Sequence, residues 1–258
     1  MPTVLASTTS HKREGLVPTL EAFAKLGLLD LDLNLHHFLE LGEDPAVVAR
    51  AAAAAGQRIP VVSGGWCDFF HTAPAIDDTY RSVERQVDIG RRLGAETLRL
   101  FFGRLHANQW SPDALETAAG NIARLADRHP TFRFVFENHD GATLIPSVCR
   151  DILAGVNRPT IRMNFDPINF ARVGVNATEA FTTVEPWIGH MHLKGLDAGE
   201  FCEFGHGDVD LTPILSRLLG TGYTGGFTVE YEGHNDGTLR LYQSVNRARN
   251  VLNALTRP

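Results

Sequence analysis

The feature that most limits the fold of this chain is a rhythm: short apolar runs, each followed by a longer segment of helical periodicity. Eight candidate strands can be marked: Thr3–Ser7, Leu31–Leu35, Arg58–Ser63, Thr97–Phe102, Arg133–Glu137, Ile161–Asp166, Ile188–Lys194 and Phe227–Glu232. Their starts lie 27 to 39 residues apart, room for one strand, one loop and one helix. Helix signals fill the gaps. Asp44-Pro45 opens a helix that Gly56 closes, Ser111-Pro112 opens one running toward His129, and Thr212-Pro213 precedes one ending near Gly220. Proline is tolerated there because the first helical N–H has no partner within the helix. Asp77 or Asp78 is expected to cap the segment ending at Leu93-Gly94. Thr143 precedes Ile145–Leu153 and Gly155, and an amphipathic run from Leu239 to Leu255 closes the chain.

Strict alternation of strand and helix makes a parallel sheet covered by helices. Eight such units predict an α/β fold with one domain over 1–258, a single closed (β/α)8 TIM barrel. An open doubly wound sheet is the other arrangement. However, no G-x-G-x-x-G follows a strand and no G-x-x-x-x-G-K-[ST] is present, so the usual nucleotide-binding motifs are missing.

With 24 Lys+Arg against 30 Asp+Glu the formal charge is −6, which gives no electrostatic reason to bind nucleic acid or an anionic membrane. Cys67, Cys149 and Cys202 form no CxxC pair and read as reduced thiols of a cytoplasmic protein. No signal peptide is visible, and the longest apolar stretch, around Ala51–Ala55, falls far short of the ~20 residues that span a bilayer. A homo-oligomer is left open.

Side chains alternate across a strand, so residues two apart share a face. In the fifth strand and its continuation one parity holds Val135, Glu137 and His139, and the other holds Phe132, Phe134 and Phe136. The sixth sorts into Arg162, Asn164 and Asp166 against Ile161, Met163 and Phe165. The seventh sorts into His190, His192 and Lys194 against Met191 and Leu193. The eighth sorts into Thr228, Glu230 and Glu232 against Phe227, Val229 and Tyr231. Helices cover the outside of a barrel, so the polar parity faces the lumen, with its charges toward the C-terminal strand ends. Four acids (Glu137, Asp166, Glu230, Glu232) against two bases (Arg162, Lys194) leave −2 in a confined space, which is costly to desolvate. One divalent cation held by Glu137, Asp166, His192 and Glu230 balances it. Three carboxylates with one imidazole suit Mn2+, Mg2+ or Co2+, with Zn2+ admissible. The plainer alternative is a metal-free network of buried ion pairs.

At these residues the sequence resembles the xylose isomerase-like TIM barrels, in particular the sugar phosphate isomerase/epimerase branch. The stretches that carry the resemblance are FENHDG at 136–141, NFDPINF at 164–170, GHMHLKG at 189–195, FGHGDVD at 204–210 and GFTVEYEG at 226–233. The resemblance implies the same four metal ligands, and it implies that Glu137 and Glu230 exchange protons with carbons beside a carbonyl from opposite sides of the substrate. His139 and Lys194 would then contact substrate oxygens or orient ligands. The chain departs from the family's pattern at three places. Asn169 stands where a His is common, His206 stands in a loop that usually reads Gly-Glu-Gly, and Gly195 replaces an acid after the Lys. Asn169 can still hydrogen-bond substrate, and His206 would be a titratable group over the site.

Weaker signals lie in the loops. Trp66, with Phe69 and Phe70, offers an aromatic wall for a sugar or plain packing under a loop. Arg104 offers a contact for a substrate anion or an exposed ion pair. His190, a layer below His192, reads as a hydrogen-bonded core residue. The expected function is a divalent-metal-dependent isomerase or epimerase of a small keto-sugar or related polyhydroxy carbonyl compound, working through a metal-stabilised enediolate. The alternative is a lyase or dehydratase acting on a keto-sugar, inosose or dehydroshikimate-like acid, with His206 or His139 as the acid. An abasic-site endonuclease shares the barrel but needs three zinc ions and more histidines; Asn169 and the −6 charge argue against it. A non-catalytic sugar-binding protein would not need the paired glutamates.

Overall fold

The structure, a computed structural model, describes residues 2–234 and 236–256. Among them, eight parallel strands close a barrel: β1 (Val4–Ser7), β2 (Asp30–Asn34), β3 (Arg58–Ser63), β4 (Thr97–Phe101), β5 (Arg133–Glu137), β6 (Ile161–Phe165), β7 (Ile188–Leu193) and β10 (Gly226–Val229). Neighbours follow chain order and β10 returns to pair with β1, Val4 opposite Phe227. The eight-stranded barrel expected from the sequence is therefore present. A short antiparallel hairpin, β8 (Gly195–Asp197) with β9 (Glu200–Cys202), interrupts the last unit; the repeat gave no sign of it.

The outward parity makes the core. Phe134, Phe136, Met163, Phe165, Met191, Leu193, Phe227 and Val229 are buried beneath the helices. Phe165 meets Phe170 and Phe181 from the following helices at 6.0 and 5.8 Å, and Phe136 meets Phe69 and Phe102 at 5.3 and 5.1 Å. Each buried ring is worth ~2–3 kcal/mol over an exposed one, so this layer anchors the strands whose other parity carries the polar groups.

Helix starts follow local chemistry. Asp44 accepts from the Ala46 N–H at 2.8 Å and Ser111 from Ala114 at 3.2 Å. Asp77 and Asp78 do not cap. The helix begins at Ala75, and both acids lie in its first turn, where the helix dipole favours negative charge. The helix Pro146–Val156 runs through Gly155 and ends at Asn157, whose φ of 44° is a left-handed stop that asparagine tolerates. No helix among the described residues is long and apolar enough to cross a membrane.

Candidate metal centre

Register fixes the depth of each inward side chain. Glu137 at the end of β5 pairs with Asn164 of β6, Asn164 with His190 of β7, and His192 with Thr228 of β10. Asp166 and Glu230 come one residue after their strands, at the C-terminal mouth. Asp166 also caps the short helix Pro167–Arg172: its Oδ1 accepts from Ile168 N at 2.9 Å and Asn169 N at 3.0 Å. That leaves Oδ2 for the lumen.

His192 is completely buried at the centre of the group. Its Nδ1 lies 3.2 Å from Glu230 Oε2, 3.7 Å from Glu137 Oε2 and 4.0 Å from Asp166 Oδ2, yet neither ring nitrogen makes a well-directed hydrogen bond. Donor atoms of Glu137, Asp166 and His192 all lie within 4.8 Å of one another. Ligands about 2.1 Å from one ion stand roughly 3.0–3.4 Å from their neighbours and about 4.2 Å when opposite. The carboxylate donors of this buried triad, at 3.7 and 4.0 Å from the His192 nitrogen, stand a few tenths of an ångström wider than a closed site and are consistent with one divalent ion once drawn in. Asp32, His190 and His192 form a second such triad beneath it.

Two cations lean on the same acids. Lys194 donates to Glu232 Oε1 at 2.7 Å and stands 2.9 Å from Asp166 Oδ2 and 3.6 Å from Glu230 Oε2. Arg99 of β4 brings Nε within 3.1 Å of Glu137 Oε2, both side chains buried. Burial alone would lower the His192 pKa, but Glu230, Glu137 and Asp32 outweigh it and raise it to about 9. Burial likewise opposes the charge on Lys194, yet Asp166, Glu232 and Glu230 hold it well above the ordinary lysine range. Burial would raise Glu230; His192 and Lys194 hold it well below the usual carboxylate range instead. His190, lowered to about 3 by burial and by His192, stays neutral and shares a 2.7 Å hydrogen bond with Thr228.

A cavity of about 750 Å³ opens above these groups, lined by Glu137, Glu230, Lys194, Arg99, His139, Trp66 and Phe101 among others. A family model for the xylose isomerase-like TIM barrel matches residues 20–255. The chain belongs to that family. No curated protein matches the sequence. Among solved structures, a xylose isomerase-like TIM barrel protein from Mycobacterium smegmatis in complex with magnesium is 16% identical, with a TM-score of 0.80 over 100% of this chain and 98% of that one. An L-ribulose 3-epimerase is 14% identical, with a TM-score of 0.79 over 98% and 95%. The probable 3-DHS dehydratase AsbF from Bacillus anthracis is 17% identical, with a TM-score of 0.76 over 97% and 99%. At these identities the likeness is one of fold.

Within this xylose isomerase-like barrel the structure brings Glu137, Asp166, His192, Glu230 and Lys194 together, and sets half-buried His139 beside them at the mouth. Trp66 stacks on Phe101 at 4.5 Å and meets His139 edge-on at 5.6 Å. Phe69 is not in that wall; it is buried against Phe136, and Phe101 of β4 takes the place expected for it. Asn169 is buried and does not line the cavity. Its Nδ2 donates to Glu137 Oε1 at 3.0 Å and to the Asn138 carbonyl at 2.9 Å, so it fixes a carboxylate.

Three expectations are corrected. Arg104 does not line the cavity; it is exposed and lies over the Trp66 ring at 3.9 Å. His206 does not overhang the site. Gly205 and Gly207 turn the loop at φ of 79° and 83°, and the side chain of His206 lines an outer groove with Tyr242, Gln243 and Asn246. Arg162 is exposed near the start of β6 and lines a cavity of about 200 Å³ at the opposite end of the barrel, so it does not offset the acids. Gly195 has a steric reason: a Cβ there would stand 2.7 Å from Cys202 Sγ and 2.8 Å from the His206 carbonyl.

Arg99 and Asp32 were not foreseen. The signal existed: Thr97, Arg99 and Phe101 share one parity of β4 while Leu98, Leu100 and Phe102 share the other, and β2 reads Asp30, Asp32, Asn34 against Leu31, Leu33, Leu35. Buried Asp32 accepts from Thr228 Oγ1 at 3.0 Å, below the Glu137–Asp166–His192 triad.

Proposed function

We propose that this protein is a divalent-metal-dependent isomerase or epimerase that moves a proton at the carbon beside a carbonyl in a small polyhydroxylated substrate. The observation that carries this is the convergence of three carboxylates on an imidazole nitrogen, without directed hydrogen bonds, at the floor of an open cavity. Glu137, Asp166, His192 and Glu230 would hold the ion. Bound there, a divalent cation supplies a Lewis acid for a carbonyl and its neighbouring hydroxyl, lowering the cost of the negative charge that develops as the proton leaves.

The chain's own residues supply the rest. Glu230 is kept ionised by His192 and Lys194, the state a metal ligand needs. Glu137 comes from β5 and Glu230 from the end of β10, with β6 and β7 between them, so the two reach the cavity from different sides. One can take a proton and the other return it. Asn169 and Arg99 hold Glu137 in place, Thr9 Oγ1 donates to Glu230 Oε1 at 3.2 Å, and Lys194 has protons to give to substrate oxygens.

The experiment is metal analysis of the purified protein, followed by exchange of the substrate's α-proton for deuterium across a panel of ketoses. One equivalent of ion, lost in Glu230→Gln, together with exchange in at least one ketose, is expected. No ion in either protein overturns the reading. A dehydratase is the second reading, favoured by half-buried His139 at the mouth, where it could protonate a departing hydroxyl. A rising enone absorbance, in place of an exchanged substrate, would select it.

A further inference from the structure

Three cations on the outer rim of the cavity take no part in the chemistry above. Lys12 and Arg13 follow the turn Thr9–His11, and Arg85 lies on the helix Ala75–Arg92. All three are exposed, all three line the 750 Å³ cavity, and none forms an ion pair among the described residues. Glu40 is the one exposed acid in that lining, so the outer rim carries +3 against −1 in a protein of net −6. Nearby Glu43 is engaged by the Leu16 N–H at 2.6 Å.

Their placement is anchored. Buried His11 pairs with Thr238 at 2.8 Å and packs edge-on against Phe23 at 5.0 Å, fixing the turn before Lys12. The same turn bears Thr9, whose hydroxyl contacts Glu230. On the other side, fully buried Gln86 accepts from the Gly65 N–H at 2.9 Å, which pins the helix turn carrying Arg85 to the loop bearing Trp66.

We infer that Lys12, Arg13 and Arg85 form an anion subsite, and that the substrate is a polyhydroxy carbonyl compound bearing a phosphate or carboxylate at the end remote from the carbonyl. This rests on the proposed function for the carbonyl end alone. The pairing within the cavity sets the direction: on the floor Lys194 and Arg99 are already engaged by acids, the cations at the mouth have no ion pair, and the Trp66–Phe101 wall lies along the same lining. Charge-assisted contacts to phosphate or carboxylate are the strong class of hydrogen bond, and arginine suits both geometrically. Arg104, the cation expected to do this, lies over the Trp66 ring and outside the cavity lining.

The test is calorimetric titration of the full chain, with and without Mn2+, using D-fructose, D-fructose 6-phosphate, D-fructuronate (the 6-carboxylate of fructose) and inorganic phosphate. Fructose 6-phosphate or fructuronate is expected to bind at least about tenfold tighter than fructose, with a preference that weakens as salt is added. Whichever of the two binds tighter identifies the anion as phosphate or carboxylate, and inorganic phosphate should compete with it. In the triple variant Lys12→Ala, Arg13→Ala, Arg85→Ala the preference should vanish while fructose binding is unchanged; its melting curve checks that it folds. Equal binding of charged and neutral sugars, a preference that survives in the triple variant, or no anion binding at all overturns the inference. Mn2+ uptake, measured separately on both proteins, reports on the metal centre alone, so either idea can fail without the other.

Discussion

The two halves of the barrel obey one alternation rule and put it to different use. From β5 onward the inward parity ends in Glu137, Asp166, His192, Lys194 and Glu230, side chains that meet at the mouth. From β1 to β4 it carries Asp32, Ser63, Arg99 and Phe101, which lie beneath that group or beside it. The acids and Lys194 are gathered on one side, and Arg99 and the aromatic wall on the other. A closed barrel lets strands distant in sequence meet across the lumen, so the halves complete each other without being neighbours in the chain.

The division is broken most severely at Glu230. Glu230→Gln should lower α-proton exchange about 10³-fold and strip the ion, read by deuterium incorporation and metal content; retention of both would remove this half's claim to the chemistry. In the other half, Arg99→Met should cost about 3 kcal/mol of stability, because it leaves Glu137 buried beside no guanidinium. Urea melts measure this, and an unchanged midpoint would show that Arg99 is dispensable to the fold.

The pH dependence separates the halves again. His192 has its folded pKa raised to about 9, above its ordinary 6.5, so its contribution is complete below about pH 6.5 and is lost as pH climbs through about 9. Metal-free protein should lose urea resistance across that window, while metal-loaded protein, its imidazole already deprotonated, should not. Parallel curves for the two forms would contradict a shared site.

Asn169→Ala removes one donor from Glu137, and Mn2+ affinity should fall about tenfold or more by calorimetry. The smallest effect belongs to the wall: Trp66→Ala should weaken sugar binding a few-fold, ~0.5–1.5 kcal/mol, with metal uptake intact. A larger loss of metal than of sugar would mean that Trp66 supports the acids instead.

What could be read from the sequence follows from what strand alternation encodes. Alternation specifies a face, so Glu137, His192 and the buried phenylalanine layer were legible, as was the closed barrel itself. It does not specify height along the lumen. Arg162 shares a parity with Asp166 but sits four residues earlier, at the other end of the barrel, and its charge was counted in the wrong place. Loops obey no such period. The directions of His206 and Arg104 depend on two positive-φ glycines and on a stacking partner, neither of which alternation fixes.

Lys194, wedged among Asp166, Glu230 and Glu232, has a consequence for biogenesis. An internal ammonium already quiets the mutual repulsion of those acids, so the newly made polypeptide need not wait for an ion in order to collapse. On the proposed function an ion would arrive late, as a guest in a room already furnished, and its departure need not unmake the walls.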